Sequence, residues 1–257
     1  MDLKTELTLA EPDMQKIDHW ISEDIGLAAR VIKTINSPLY GLKVEVKSIE
    51  QAIHLLGINK LRDIIIPPAY RHAMEQSFTG FEAISETAHQ VGAMAYMISN
   101  EIESETEKKS GAFYLSGLFY HVGVLVLGSQ FPDYMAQHEK HLLNPISWGS
   151  FELQNYGVRH TAVSVLLAKH WGLPNIVCSS IYLHHNAVAT YRELIDTESM
   201  TMAASLTLAI HIVNKDILGL PVDESEECQS LYQSAMEELM LNEESFRDLE
   251  QDSKSIY

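Results

Sequence analysis

The amino-acid sequence predicts an all-helical fold for this chain of 257 residues. Apolar residues recur at spacings of three and four along most of the chain, and no long stretch alternates with the period of two that is typical of β-strands. Helix caps and helix stops fall between these apolar runs. Each predicted helix therefore has one apolar face, and we expect these faces to pack into a common core.

The first apolar stripe predicts a buried helix near the N-terminus. It consists of Ile21, Ile25, Ala28, Ile32 and Ile35. The run Asn36-Ser37-Pro38 ends it, because proline disfavours helix at the residue before it. Ser48 and Gln51 form a capping box that opens the next helix, which is expected to end at Gly57. A further short helix is expected to stop before Pro67.

The two helices joined at Gly57 resemble a DNA-binding helix-turn-helix in outline. In that motif a small residue precedes the turn glycine by four positions, whereas Ala52 precedes Gly57 by five. The second helix carries Lys60 and Arg62 beside Asp63, and the formal net charge of the chain is -17. Phosphate binding requires clustered basic residues, so two packed helices are the preferred interpretation and no nucleic acid is expected as a partner.

A long helix is predicted over residues 81–102, with His89 beside its apolar stripe. The following run, residues 111–128, is apolar around a single histidine, His121, and predicts a buried helix. A buried imidazole needs a hydrogen-bond partner, and one histidine in such a helix is more often a core residue than a ligand. A site is the other interpretation, and its further candidates are His89, His160, His184 and His185.

The second half of the chain predicts five more helices. Asn144 followed by Pro145 is an N-cap with proline at the first helical position, and Gly157 closes the helix that they open. The other four are predicted over residues 132–143, 161–171, 174–185 and 199–218.

The C-terminal segment is the most acidic part of the chain. Residues 223–257 contain eleven acidic and two basic residues and have a formal net charge of -9. The other 222 residues therefore carry -8 of the total of -17. Five apolar residues at helical spacing predict that this tail packs on the body: Leu231, Ala235, Met236, Leu239 and Met240. A solvated acidic helix is the plain interpretation, and a partner-binding tail is the alternative.

The two cysteines, Cys178 and Cys228, match no metal or redox spacing and are read as reduced thiols. The N-terminus has no apolar signal region, and no stretch is expected to approach the ~20 apolar residues of a membrane helix. A cytoplasmic location without membrane association is therefore predicted.

Five segments, taken in order, resemble the HDOD domains of bacterial signalling proteins, a branch of the HD superfamily of metal-dependent phosphohydrolases. They are DIGLAARVIKTINSPLYG with Asp24, Asn36 and Ser37, SIEQAIHLLGINKLRDIII, GLFYHVGVLVL, residues 152–174, and IYLHHN. The resemblance implies one domain over residues 1–257, in which an N-terminal helical lobe (1–78) packs on an HD-like helical lobe (79–222) with an acidic helical tail (223–257). It also implies a regulatory role without a reaction common to the family.

The chain departs from the catalytic HD pattern at its carboxylates. His121-Val122 stands where a phosphohydrolase has a His-Asp doublet, and Asn214 is assigned to the place of a later aspartate. The Gly-Tyr-Pro run of cyclic dinucleotide phosphodiesterases is absent after His184-His185. The resemblance thus implies no catalytic residue, and it implies a ligand-binding or vestigial site formed by His89, His121, His160, His184, His185 and Asn214.

Three functions follow as hypotheses. The first is a non-catalytic signalling module that binds other signalling proteins. The sequence leaves open which proteins these are and what the oligomeric state of this chain is. The second is a metal-dependent phosphohydrolase with a degenerate histidine-rich site, and the third is a sensor of a metal or a small anion. No cofactor is expected, although the five histidines could hold a divalent transition metal, namely Zn, Ni, Mn or Fe.

Overall fold

The computed structural model describes residues 3–9, 11–40, 42, 45–65, 81–102, 110–141, 144–186, 193–221 and 225–256. Every regular element in these ranges is a helix, so the predicted all-α fold class is confirmed. The predicted stop before Pro67 and the predicted boundary between residues 78 and 79 lie outside the described ranges.

Among the described residues before position 66, which we call the N-terminal lobe, there are four α-helices: α1 (Leu3–Thr8), α2 (Met14–Ser22), α3 (Ile25–Ile35) and α4 (Ile49–Ile65). The predicted apolar stripe is buried, but it belongs to two helices, because the Asp24 carboxylate caps α3 by accepting from the Leu27 amide at 3.0 Å. The predicted cap of α4 is present, with the Gln51 amide donating to Ser48 Oγ at 3.0 Å. Gly57 bends α4 with a φ of 72°, a conformation that favours glycine.

The described residues between positions 81 and 221, which we call the second lobe, form eight α-helices: α5 (Phe81–Ile102), α6 (Ser110–Phe119), α7 (Val122–Gln130), α8 (Tyr134–His141), α9 (Pro145–Tyr156), α10 (His160–His170), α11 (Asn175–Leu183) and α12 (Thr197–Ile212). Most residues of α12 are buried, because it packs against α5, α6 and α11. A π-helical turn, Val213–Ile217, extends it. Asn144 caps α9 and Gly157 ends it in the left-handed conformation, as predicted.

The apolar run predicted as one helix around His121 is two helices. Helix α6 ends at Phe119 and α7 begins at Val122, which leaves His121 in the break between them as the N-cap of α7. By length and composition the stretch Gly111–Gln130 could cross a membrane, contrary to our expectation for the chain. In the fold, however, 72% of its apolar window is buried inside the protein, which is typical of core helices.

The larger of two hydrophobic clusters among the described residues includes buried side chains from both lobes, and the smaller one lies around α7, α8 and α9. The turn after α3 also joins the lobes, because Asn36 Nδ2 donates to the carbonyl oxygen of Gly172 at 2.8 Å. The same side chain holds its own lobe together, with Asn36 Oδ1 accepting from the Val46 amide at 2.9 Å. Helices on both sides of the segment 66–80 are therefore joined by polar and apolar contacts.

The acidic tail forms α13 (Glu226–Glu238), α14 (Glu243–Asp252) and a 3-10 turn, Ser253–Ile256. Leu231, Ala235 and Leu239 are buried, so this part of the predicted packing is confirmed. The prediction for Met240 is wrong, since its side chain is 93% exposed. The reason is local: α13 ends at Glu238, and Met240 turns the chain with a φ of 53°.

A histidine on α12 is expected to make the docking of the tail sensitive to acid. The rings of His211 and Tyr232 lie 4.0 Å apart, and burial lowers the pKa of His211 to about 4. The unfolded chain, with a histidine pKa near 6.5, therefore takes up this proton first as the pH falls. Stability from His211 should be complete above about pH 6.5 and should decline towards pH 4.

The test compares the native chain with His211→Phe by urea unfolding at pH 7 and pH 5. Between pH 7 and pH 5, the free energy of unfolding should fall more steeply for the native chain than for the variant, by up to about 1.4 kcal/mol per pH unit. The reason is that phenylalanine keeps the ring contact but has no titrating group. Equal losses in the two proteins would contradict the prediction.

Candidate functional site

Four histidines from separate parts of the sequence meet in the second lobe: His121, His160, His184 and His185. One ring nitrogen from each lies within 4.8 Å of the corresponding nitrogens of the other three. His121 comes from the break between α6 and α7, His160 begins α10, and the doublet directly follows α11. We call this set the histidine cluster. It unites four of the five histidines that the sequence singles out.

Hydrogen bonds fix the ring of His184. Its Nδ1 lies 2.7 Å from the carbonyl oxygen of Ile181, which can only accept, so Nδ1 carries the proton. Its Nε2 is then an acceptor, and it is buried without a hydrogen-bond partner among the described residues. Burial and the neighbouring His160 lower the pKa of His184 to about 3. A neutral imidazole with an unused lone pair therefore lies in the cluster.

Glu152 on α9 orients His160 in the same way. Its carboxylate accepts from His160 Nδ1 at 2.8 Å and from the His160 amide at 3.1 Å, and it also accepts from the Tyr134 phenol. The side chains of Glu152 and His160 are completely buried. A histidine that binds a metal ion through one ring nitrogen usually donates the N–H of the other ring nitrogen to a carboxylate or another acceptor. His160 Nε2 then lies 3.1 Å from His185 Nε2.

The remaining two rings are held in their neutral form. Burial, followed by the nearby His160, lowers the pKa of His121, and burial together with His184 lowers the pKa of His185. Neutral imidazole is the form in which histidine binds a metal ion. These three histidines, His121, His184 and His185, therefore favour ligation over protonation.

Sequence reasoning missed two residues beside the cluster. His138 on α8 is buried, and its ring centroid lies 5.3 Å from that of His121. Its helix, YMAQHEKH, is too polar for the sequence to mark one histidine as buried. Glu152 is the first residue of the family-like segment 152–174, but the sequence assigned it no role in the site. An acid eight residues before His160, across the Gly157 turn, is the signal that could have identified it.

The structure does not bring His89 into the cluster. Its Nδ1 lies 2.7 Å from the Tyr114 hydroxyl oxygen, and its side chain lines a cavity at the junction of the two lobes. His89 lies on helix α5, which contacts α6 and α12. A histidine beside the apolar stripe of α5 can therefore face the N-terminal lobe and not the histidine cluster. The proposed role of His89 as a ligand therefore receives no support from its position.

Asn214 lies in the turn that follows α12. Helix α12 contacts the doublet through Thr207, whose hydroxyl donates to the carbonyl oxygen of His184 at 2.9 Å. Asn214 follows seven residues later in the π-helical turn, about 10 Å further at 1.5 Å per residue. That turn packs on α5 and on the C-terminal 3-10 turn. The assignment of Asn214 to the place of the missing aspartate therefore stays a prediction.

The geometry of the cluster fits a transition-metal ion. Tetrahedral ligation at 2.0–2.1 Å places ligand nitrogens about 3.3 Å apart. The pair His160 and His185 has a spacing of 3.1 Å, and the four nitrogens all lie within 4.8 Å of one another, so small shifts of the rings would close them around an ion. Imidazole is a ligand for Zn, Ni, Cu and Fe, and the unpaired Nε2 of His184 is the kind of orphaned acceptor that such an ion would satisfy. No carboxylate belongs to this group of ligand atoms.

Known proteins resemble the chain over most of its length. The family model for the HDOD domain matches residues 1–187. An uncharacterized protein of Treponema pallidum is 23% identical over 209 residues, which are 76% of this chain and 39% of that protein. YuxH of Bacillus subtilis, also uncharacterized, is 33% identical over 61 residues, 24% of this chain and 15% of that protein. The chain thus spans less than half the length of these curated relatives.

Solved structures share the helical fold. The MmoQ response regulator of Methylococcus capsulatus superposes with a TM-score of 0.67 at 18% identity, covering 96% of this chain and 92% of that one. A virulence factor of Campylobacter jejuni superposes with a TM-score of 0.57 at 18% identity, covering 92% and 94%. The family match covers well over half of the sequence and confirms the resemblance found in its motifs. The chain therefore belongs to the HDOD domain family.

Proposed function

We propose that this chain is a non-catalytic regulatory module of bacterial signalling that works by binding, and that its histidine cluster holds a divalent transition metal. The observation that carries the proposal is the set of four converging imidazoles without a carboxylate among them. Membership of the HDOD family and the likeness to a response regulator support the signalling role.

The composition of the cluster favours a structural ion over a catalytic one. Structural zinc sites are closed by four protein ligands, whereas catalytic sites keep one position open for water or substrate. His121, His160, His184 and His185 can together fill a tetrahedral shell. The valine that follows His121 also removes the carboxylate with which HD phosphohydrolases bind their metal, according to the family resemblance.

Imidazole ligands also select the class of metal. Zn²⁺, Ni²⁺ and Fe²⁺ accept nitrogen ligands readily, whereas Mg²⁺, Ca²⁺ and Mn²⁺ prefer carboxylate and water oxygens. Of the four metals considered from the sequence, Mn is thus the least suited to this cluster. A bound ion would join α7, α10 and the segment after α11, and it would stabilise the second lobe.

The test measures bound metal and thermal stability in protein purified without a histidine tag. Zn²⁺ should bind one equivalent and raise the melting temperature, because an ion that binds only the folded state stabilises it by about 4 kcal/mol at a thousandfold excess over Kd. His184→Ala should abolish most of that gain. His54→Ala, which removes an exposed histidine on α4, is the matched control and should keep it.

Absence of both bound metal and stabilisation, in a folded native chain, would contradict the metal part of the proposal. Stabilisation that survives in His184→Ala would locate the ion elsewhere.

The alternative function is a metal-dependent phosphohydrolase with a degenerate site. One observation favours it: His121 and His185 are only partly buried, so a substrate could approach the cluster from their side. We expect no metal-dependent hydrolysis of phosphomonoesters, phosphodiesters or cyclic dinucleotides above that of His121→Ala. A robust rate that this substitution abolishes would establish the alternative and overturn the non-catalytic proposal.

Signalling proteins in the cytoplasm are the proposed partners. The strongly acidic composition supports protein partners over nucleic acid, because the chain has 18 basic and 35 acidic residues and phosphate binding depends on basic side chains. The chain used as bait in a native cytoplasmic extract should retain a defined signalling protein. If no protein were retained above background, the proposed role as a protein-binding signalling module would be contradicted. The proposal of a metal site would not be affected by that result.

A further inference from the structure

A cavity of about 700 Å³ lies where the two lobes meet, away from the histidine cluster. Its walls come from α2 and α4 of the N-terminal lobe and from α5 and α6 of the second lobe. This volume is within the range of small-ligand sites. Among the described residues, its lining contains the carboxylates of Asp18 and Glu50 and no lysine or arginine. The basic groups of this described lining are the imidazoles of His19, His54 and His89. A ligand that enters therefore meets carboxylates without a permanently charged cation among the described side chains.

A hydrogen-bond chain prepares His89 as an acceptor in this cavity. The Tyr114 hydroxyl donates its proton to the carbonyl oxygen of Ser22 at 2.9 Å. The 2.7 Å bond between Tyr114 and His89 Nδ1 must then use an Nδ1 proton, since the phenol has no second one. Burial lowers the pKa of His89, which keeps the ring neutral. Its Nε2 therefore presents a lone pair, and no described residue donates to it.

Asp18 adds a carboxylate with one oxygen that no described residue pairs. Its Oδ1 is buried and has no hydrogen-bond partner among the described residues. Burial, followed by the negative charge of Glu50, raises the pKa of Asp18 to about 6. A buried carboxylate without donors is costly, and a cation with hydrogen-bond donors would remove that cost. The cavity therefore combines an unpaired acid with a neutral, oriented acceptor.

These acceptors suit an organic cation better than a metal ion. Among the described residues, the ligand atoms with metal-binding spacing are those of the histidine cluster, and the groups of this cavity are not among them. Tyr96, which is 42% exposed, contributes an aromatic ring to the lining. Aromatic faces attract organic cations, and guanidinium stacks on them while its fork of N–H groups matches a carboxylate.

We propose that the cavity between the lobes binds a guanidinium group, with Asp18 as its carboxylate partner and His89 Nε2 as a second acceptor. The group could belong to a free small molecule or to an arginine side chain of a partner protein, and both present the same chemistry to the site. The proposal does not depend on a metal in the histidine cluster. A guanidinium between α2 and α5 would join the two lobes.

The experiment follows amide and side-chain chemical shifts of the full chain during titration with n-butylguanidinium and with n-butylurea. The two probes have the same shape, but only the first is charged. We expect n-butylguanidinium to bind with a Kd on the order of 1 mM, which is reasonable for so small a ligand, and to perturb residues on α2, α5 and α6. The urea should bind at least about tenfold more weakly, because charge-assisted hydrogen bonds are lost.

Variants separate the proposed contacts from general effects. Asp18→Asn should weaken n-butylguanidinium at least about tenfold, and Tyr114→Phe should weaken it less, because the phenol only fixes the ring of His89. Glu86→Gln removes an exposed carboxylate of α5 outside the cavity and should leave the Kd unchanged. Thermal unfolding of each variant confirms that the protein is folded.

A capped Gly-Arg-Gly peptide and its citrulline counterpart distinguish the two sources of the group. Binding of the arginine peptide at the same residues supports a partner side chain, and binding of n-butylguanidinium alone supports a free small molecule. Equal affinity for n-butylguanidinium and n-butylurea, or an unchanged affinity in folded Asp18→Asn, would overturn the proposal.

Discussion

Replacing Glu152 by alanine is expected to lower the free energy of unfolding by about 3–5 kcal/mol, the cost of removing one partner from a buried polar network. The carboxylate accepts from the amide and Nδ1 of His160 and from the phenol of Tyr134. Burial and the charge of Glu152 raise the pKa of Tyr134, so the phenol keeps the proton that it donates. All of these donors would lose their acceptor in a site that water does not reach.

Urea unfolding of the metal-free proteins gives the measurement. Glu152→Gln keeps one acceptor oxygen and should lose less stability, whereas Glu139→Ala removes an exposed glutamate of α8 and should change stability by less than about 0.5 kcal/mol. If the histidine cluster binds metal, Glu152→Gln should also lower Zn²⁺ affinity by about 10- to 100-fold, because the carboxylate orients His160. A loss below about 1 kcal/mol in Glu152→Ala would show that the network contributes little to the fold.

Replacing Gly123 by alanine is expected to cost about 3 kcal/mol, at the upper end of overpacking effects, because the new methyl group would meet backbone atoms. An ideal Cβ at this position lies 2.2 Å from the carbonyl oxygen of His160 and 2.8 Å from the Ser164 amide. Helices α7 and α10 would have to separate. The Gly123 amide, which donates to Ser164 Oγ at 2.8 Å, would move with them.

Gly149→Ala is the matched control, because the nearest atom to its ideal Cβ is Arg159 Nε at an ordinary 3.6 Å. Alanine in a helix interior should there be neutral or stabilise by up to about 1 kcal/mol. Separation of α7 and α10 should also move His121 away from His160, so Gly123→Ala should lose Zn²⁺-dependent stabilisation. Wild-type stability in Gly123→Ala would mean that the contact between the helices is looser than the structure indicates.

Local sequence determined the helices of this protein and most of their ends. Helix α5 has the predicted bounds, and Asn144 and Gly157 delimit α9 as their cap chemistry requires. Such features depend on residues within a few positions of each other, so the sequence displays them directly. Its motifs also identified the HDOD family, because family membership is carried by the order of short segments.

Tertiary structure alone decided which polar residues share a site. His89 and His121 both lie in apolar surroundings, yet one faces the cavity between the lobes and the other joins the histidine cluster. His138 and Glu152 gave no strong local signal, and the packing of α8 and α9 brings them to the cluster. Apolar periodicity fixes the buried face of a helix, whereas the crossing of helices fixes which buried side chains meet. That crossing depends on contacts between residues distant in the chain, and a single sequence does not state them.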